Sequence, residues 1–187
     1  KRGFRVVGTK WVDTNKGDDK VENYRSRLVA QEFRTKTEGA LFAATPPLET
    51  LRTLLTIFTT SRFDEQGKKR PTEGEGRMGM MLMDIKRAHF YAPAQREIFV
   101  QLPPEDPRSG EENICGELQQ SLYGTRDASS NREKEYCRAL AAAGFNKGLA
   151  SPCHFWHQAW EVRLLVHGDD FLATGLMSGR KVYEGDV

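Results

Sequence analysis

Val166-His167-Gly168-Asp169-Asp170-Phe171 sets an Asp-Asp pair inside an apolar run. The flanks, Arg163-Leu164-Leu165-Val166 and Phe171-Leu172-Ala173, have strand composition, and the pair sits where two strands would turn. Carboxylates side by side raise each other's pKa, and a divalent cation removes that cost. A third acid, Asp84, ends a second apolar run, Met80-Met81-Leu82-Met83-Asp84-Ile85. A strand stopping at one acid and a hairpin turning through two more suggest a two-metal phosphoryl-transfer site, if the fold joins them. Neighbouring residues of a strand face opposite ways. Asp169 is therefore expected to bind metal directly, with Asp170 as a weaker or indirect partner.

The chain has 187 residues, with 28 Lys and Arg against 26 Asp and Glu. That length fits one domain, or one domain with a lobe. A net charge of +2 neither requires nor excludes nucleic acid. Cys115, Cys137 and Cys153 are widely spaced and odd in number, which reads as reduced thiols in an intracellular protein. No apolar run reaches membrane-spanning length, and no signal peptide is visible. The first residue is Lys1, so the chain is expected to be a piece of a longer polypeptide.

Phe4 to Val12 has strand composition, Thr14 to Lys20 is a turn cluster, and Val21 to Phe33 alternates again. The result is a β-hairpin with Arg25, Arg27 and Val29 on one face and Tyr24, Ser26 and Leu28 on the other. Pro46-Pro47 marks the start of a helix carrying Leu48, Leu51, Leu54, Leu55 and Phe58. Asp64 to Arg77 is a polar surface loop, Gly79 to Asp84 a buried strand, and Glu97 to Leu102 another strand closed by Pro103-Pro104. Ser129 to Ala143 is a helix stopped by Gly144. The fold class is α+β, with strands mostly joined by hairpins.

Taken in order, these blocks resemble the reverse transcriptase domain of Ty1/copia-type retrotransposons, part of a retrovirus-related Pol polyprotein. Gly8-Thr9-Lys10-Trp11-Val12 is similar to that family's opening strand. Tyr24-Arg25-Ser26-Arg27-Leu28-Val29-Ala30-Gln31-Glu32-Phe33 resembles its Tyr-Lys-Ala-Arg-Leu-Val-Ala-Lys-Gly-Phe block. Met83-Asp84-Ile85-Lys86-Arg87-Ala88-His89-Phe90 is similar to Leu-Asp-Val-Lys-Thr-Ala-Phe, and Glu97 to Pro103 to Glu-Ile-Tyr-Met-Glu-Gln-Pro. Ser121-Leu122-Tyr123-Gly124-Thr125-Arg126-Asp127 resembles Ser-Leu-Tyr-Gly-Leu-Lys-Gln. His167-Gly168-Asp169-Asp170 corresponds to Tyr-Val-Asp-Asp.

The resemblance implies a fingers-and-palm fold with an antiparallel palm sheet and no thumb. Residues 1–77 would be mainly fingers and 78–187 mainly palm, in one C-terminally truncated domain. It implies a nucleotidyltransferase that uses two Mg²⁺ ions, for which Mn²⁺ can substitute. An RNA or DNA template, a DNA primer and dNTPs would be its partners. Asp84, Asp169 and Asp170 would be the catalytic acids and metal ligands, with the Ile85 carbonyl facing the second metal. Arg25, Arg27, His89 and Tyr123 would hold the nucleotide, and Gly124, Arg126, His167 and Gly168 would touch template or primer. The remaining Pol domains (thumb, RNase H, integrase) are expected in the parent polyprotein. No membrane is involved, and the location would be intracellular, in a cytoplasmic virus-like particle or the nucleus.

The chain departs from the family pattern at several positions. His89 stands where Phe or Tyr is usual, His167 and Gly168 replace Tyr and Val, Asp127 replaces Gln, and Asn131 lies near a usual Trp. Simpler readings stand beside the sharp ones. Asp169-Asp170 alone is a common turn, and Arg25 with Arg27 a common solvated face. Cys153-His154 with His157 lacks a fourth zinc ligand. Met78, Met80, Met81 and Met83 read as core filler, and Lys68-Lys69-Arg70 as a solvated loop. A non-polymerising retroelement remnant, or a regulatory domain with a cation site at Asp84 and Asp169, fits the same residues.

Overall fold

The computed structural model describes residues 6–33, 43–61, 63–72 and 76–176. In chain order the elements are β1 Val6–Val7, β2 Thr9–Asn15, β3 Tyr24–Ala30, α1 Leu48–Thr60, β4 Met78–Asp84, β5 Phe99–Val100 and β6 Gly116–Glu117. They continue as α2 Ala128–Ala142, β7 Asn146–Lys147, β8 His154–His157, β9 Val162–His167 and β10 Asp170–Leu176. A 3-10 turn covers Ala88–Tyr91. The chain is thus mixed α and β with mostly antiparallel pairing. It divides into two compact units, Lys1–Ala43 with Arg87–Glu135 and Ala44–Lys86 with Tyr136–Val187, so neither is a contiguous half of the sequence.

The second unit is built on a five-stranded antiparallel sheet in the order β4-β10-β9-β8-β7. Strand alternation divides its side chains between two faces. On one face Phe155, Val162, Leu164, Val166 and Ala173 pack with Tyr136, Cys137 and Leu140 of α2. On the other, Leu165 and Leu172 meet Leu51 and Leu54 of α1, with Cys153 buried among them. Proline at the N-cap, Pro47, starts α1 with extended backbone, and its apolar stripe at helical spacing supplies that contact. Burying one such leucine stabilises the fold by about 1.5–3 kcal/mol.

In the first unit β2 and β3 form the expected hairpin, with Val12 opposite Arg27 and Thr14 opposite Arg25. A three-stranded sheet, β1-β5-β6, packs Val7, Ile98 and Val100 with Ala30 and Leu122.

Two expectations are corrected. Within the strand expected over Glu97 to Leu102, regular pairing covers Phe99 and Val100, with a backbone hydrogen bond beyond each end, from the Leu118 N–H to the Ile98 carbonyl and from the Gln101 N–H to the Val7 carbonyl. The methionine run is not uniformly core. Met83 packs under α2, whereas Met80 is 39% exposed and its neighbour Leu82 is 70% exposed. They lie on the α1 face of β4, the outermost strand of the sheet, which the helix does not cover fully. The zinc alternative also fails. His154 and His157 differ by an odd number of strand residues and face opposite sides of β8.

Leu54 is 1% exposed. Leu54→Ala should therefore lower unfolding stability by about 2–5 kcal/mol in urea titration, the usual cost of such a cavity. A loss under 1 kcal/mol would show that α1 is not docked as described.

Candidate functional site

The acids converge through β-register. Asp84, the last residue of β4, is paired with Asp170, the first residue of β10. The Ile85 N–H donates to the Asp169 carbonyl at 3.0 Å. That bond makes 85 and 169 the hydrogen-bonded pair, so Asp84 and Asp170 form the adjacent non-hydrogen-bonded pair. Such pairs bring Cα atoms to about 4.5 Å with side chains on one face. Both residues are exposed. Like charges directly opposite are destabilising in a sheet, a cost that a cation bound between them would offset.

His167 and Asp170 close the β9–β10 hairpin as partners, leaving Gly168 and Asp169 as the two-residue turn. Gly168 has φ 62°, whereas Asp169 is not among the residues with positive φ. This is the pattern of a type II′ turn, which asks for Gly first and matches the twist of the strands. The parity argument put Asp169 ahead of Asp170; the register sets Asp170 across from Asp84, with Asp169 in the half-buried turn. The same register puts His167, also exposed, beside Asp170.

Among the described residues no group of three or more His, Cys, Asp or Glu side chains could hold a metal ion. The residues still suit Mg²⁺, which is typically held by one or two carboxylates together with substrate phosphates and water rather than by a full protein cage.

The other expected site residues belong to the first unit. Arg25 and Arg27 share one face of β3, Arg25 exposed and Arg27 half-buried. His89 is buried in the 3-10 turn, and its ring meets Tyr123 edge-on at 4.5 Å; Phe90 also meets Tyr123, at 5.7 Å. The Ala30 N–H donates to the Tyr123 carbonyl at 2.7 Å. Gly124 has φ 84°, and a Cβ there would lie 2.0 Å from the Ala30 carbonyl oxygen. Only glycine fits both the conformation and the approach.

One group of residues was not legible beforehand. Arg96 makes ion pairs with Glu32 and Asp127, and the Arg126 amide donates to Glu32 at 2.8 Å. Asn131 donates to Asp127 at 3.1 Å and to Ser121 at 3.2 Å. Burial opposes ionisation of Glu32, but hydrogen bonds from Arg96 and Arg126 outweigh it and hold the carboxyl below its ordinary range. Burial likewise opposes ionisation of Asp127, and the Arg96 and Asn131 hydrogen bonds prevail. The Arg96 guanidinium is held more firmly protonated, chiefly by Glu32. The sequence signal was Asp127 itself, an acid in place of a neutral Gln beside Arg126.

A family model described as reverse transcriptase (RNA-dependent DNA polymerase) matches residues 1–180. The chain is 23% identical over 186 residues to the retrovirus-related Pol polyprotein from transposon TNT 1-94 of Nicotiana tabacum. That alignment takes in 95% of this chain and 13% of the polyprotein. No solved structure matches the chain.

Glu32 and Asp127 ionise more readily in the fold than at their ordinary values of 4.5 and 3.8. The folded state then binds fewer protons than the unfolded chain, and acid destabilises it. Their contribution is complete above about pH 5 and is lost as pH falls through their lowered folded values. Thermal midpoints should drop between about pH 5 and pH 3, and Glu32→Gln with Asp127→Asn should flatten that slope. An unaltered slope would mean that the ion pairs do not persist in solution.

Proposed function

The chain belongs to the reverse transcriptase (RNA-dependent DNA polymerase) family, and from that premise we propose that it is the fingers-and-palm portion of a copia-type RNA-directed DNA polymerase. The reaction is nucleotidyl transfer. A primer 3′-oxygen attacks the α-phosphorus of a dNTP, the bond to the bridging oxygen breaks, and pyrophosphate leaves. Template, primer and dNTP are the partners, alongside the other Pol domains of a parent polyprotein.

The observation that carries this reading is the pairing of Asp84 with Asp170 beside the Gly168-Asp169 turn. Asp84, Asp169 and Asp170 would hold two Mg²⁺ ions. When bound, the ions supply activation of the 3′-hydroxyl and charge neutralisation at the leaving group. Gly168 carries no side chain, so a primer terminus can approach the turn. The guanidinium forks of Arg25 and Arg27 suit the oxygens of a triphosphate. His89, which packs against Tyr123, would meet the sugar of the incoming nucleotide. Arg126 and His167 would contact the nucleic acid.

Primer extension on oligo(dT)-primed poly(rA) tests the reading directly. Incorporation with Mg²⁺ or Mn²⁺ by the parent, and its loss by at least about 100-fold in Asp84→Asn and Asp169→Asn, is the expected result. Equal incorporation by parent and variants would refute the assigned site. No incorporation by the parent would favour the remnant reading.

Metal binding gives a second, independent readout. In chelator, Asp84→Asn should melt about 1–3 °C above the parent, because it removes one of two facing like charges. Added Mg²⁺ should raise the parent's midpoint and leave the variant nearly unmoved. Equal shifts in both proteins would exclude Asp84 as a ligand.

A further inference from the structure

We propose that Arg96 is a positioning residue, whose guanidinium clamps Glu32 and Asp127 together and thereby sets the Tyr123–Arg126 segment against the end of β3. The consequence for nucleotide binding rests on the polymerase reading above; the clamp itself does not. One edge of the Arg96 fork donates to both Glu32 oxygens, at 2.8 and 2.6 Å. Its other edge donates to both Asp127 oxygens, at 3.1 and 3.0 Å. Two bidentate contacts from one planar cation define a geometry that a lysine ammonium cannot reproduce.

Each carboxylate also holds a neighbour. Glu32 accepts the Arg126 amide, and Asp127 accepts from the Asn131 side chain, which reaches on to Ser121. On the backbone, the Ala30 and Glu32 amides donate to the Tyr123 and Gly124 carbonyls at 2.7 and 3.4 Å. The segment from Tyr123 to Arg126 is therefore joined to the strand that carries Arg25 and Arg27 by backbone bonds at one end and by the clamp at the other. Asp127 is only 6% exposed. Without Arg96 it would stand near Glu32 as a second uncompensated anion.

The network also unites separate departures from the family blocks. Glu32 stands where the quoted block has Gly, Asp127 where it has Gln, and Asn131 near a usual Trp. Two of these changes meet at one guanidinium, and the third, Asn131, joins them through its hydrogen bond to Asp127. They form one compensated arrangement and not three unrelated losses.

The test is hydrogen exchange on the whole chain with Arg96→Met and Arg96→Lys. The Arg126 and Ala30 amides should exchange at least about tenfold faster in Arg96→Met while Val166, in the five-stranded sheet, keeps its protection. Arg96→Lys should recover only part of the difference. In a parent that incorporates dNTP, Arg96→Met should raise KM about tenfold with kcat within about twofold. If the parent does not incorporate, the polymerase reading has failed and exchange alone decides on the clamp. Unchanged exchange at Arg126 and Ala30, or equal acceleration at all three amides, would overturn the proposal. So would a fall in kcat with KM unchanged.

Discussion

The register between β4 and β10 is the constraint on which the candidate site depends. Side chains along a strand alternate, so a slip of one residue would send Asp84 to the α2 face and exchange the β4 residues facing α2 with those facing α1. Two features oppose such a slip. Phe171, Ala173 and Leu164 fill one face while Leu172 and Leu165 fill the other, and the two-residue turn at Gly168-Asp169 fixes how β9 meets β10. Core packing and carboxylate placement are thus one specification. The acids stay at the mouth of the sheet because the hydrophobic residues behind them have only one good arrangement.

That arrangement places like charge opposite like charge at an exposed strand end, which a sheet selected only for stability would avoid. The rest of the sheet is strongly stabilising, with helices on both faces and Phe155, Val166 and Thr174 almost fully enclosed. A local electrostatic cost is tolerable on such a support. The first unit deals with charge differently. Glu32 and Asp127 are closer to the interior, and each is matched to Arg96 with directed hydrogen bonds. The facing carboxylates of Asp84 and Asp170 stand exposed at a strand end, whereas those of Glu32 and Asp127 are fixed by directed hydrogen bonds.

What the sequence disclosed follows from the range of the interactions concerned. α1, α2 and β4 are encoded by local periodicity and by Pro47 and Gly144, so reading along the chain finds them within a residue or two, whereas in the first hairpin β2 runs on to Asn15 through the expected turn cluster and β3 starts at Tyr24. The approach of Asp84 to the Asp169-Asp170 pair is expected from the ordered blocks, but which of the two stands across from Asp84 is set by strand pairing. The length of β5 is set by its partner strands and not by its own composition, so its ends are not legible along the chain. Arg96 gave no local sign at all. It lies 31 residues from Asp127 and 64 from Glu32, and only the fold unites them.

The position of β4 carries a consequence for the molecule's behaviour in a crowded solution. Six of its seven residues are uncharged, it is outermost in its sheet among the described residues, and Met80 and Leu82 are exposed. An apolar outer strand is a template on which another chain can add by backbone hydrogen bonding, and natural sheets usually interrupt such strands with lysine or proline. Here the single charged interruption is Asp84, at the strand's end. The charge of Asp84 thus guards the strand against self-association, and neutralising it relaxes that restraint.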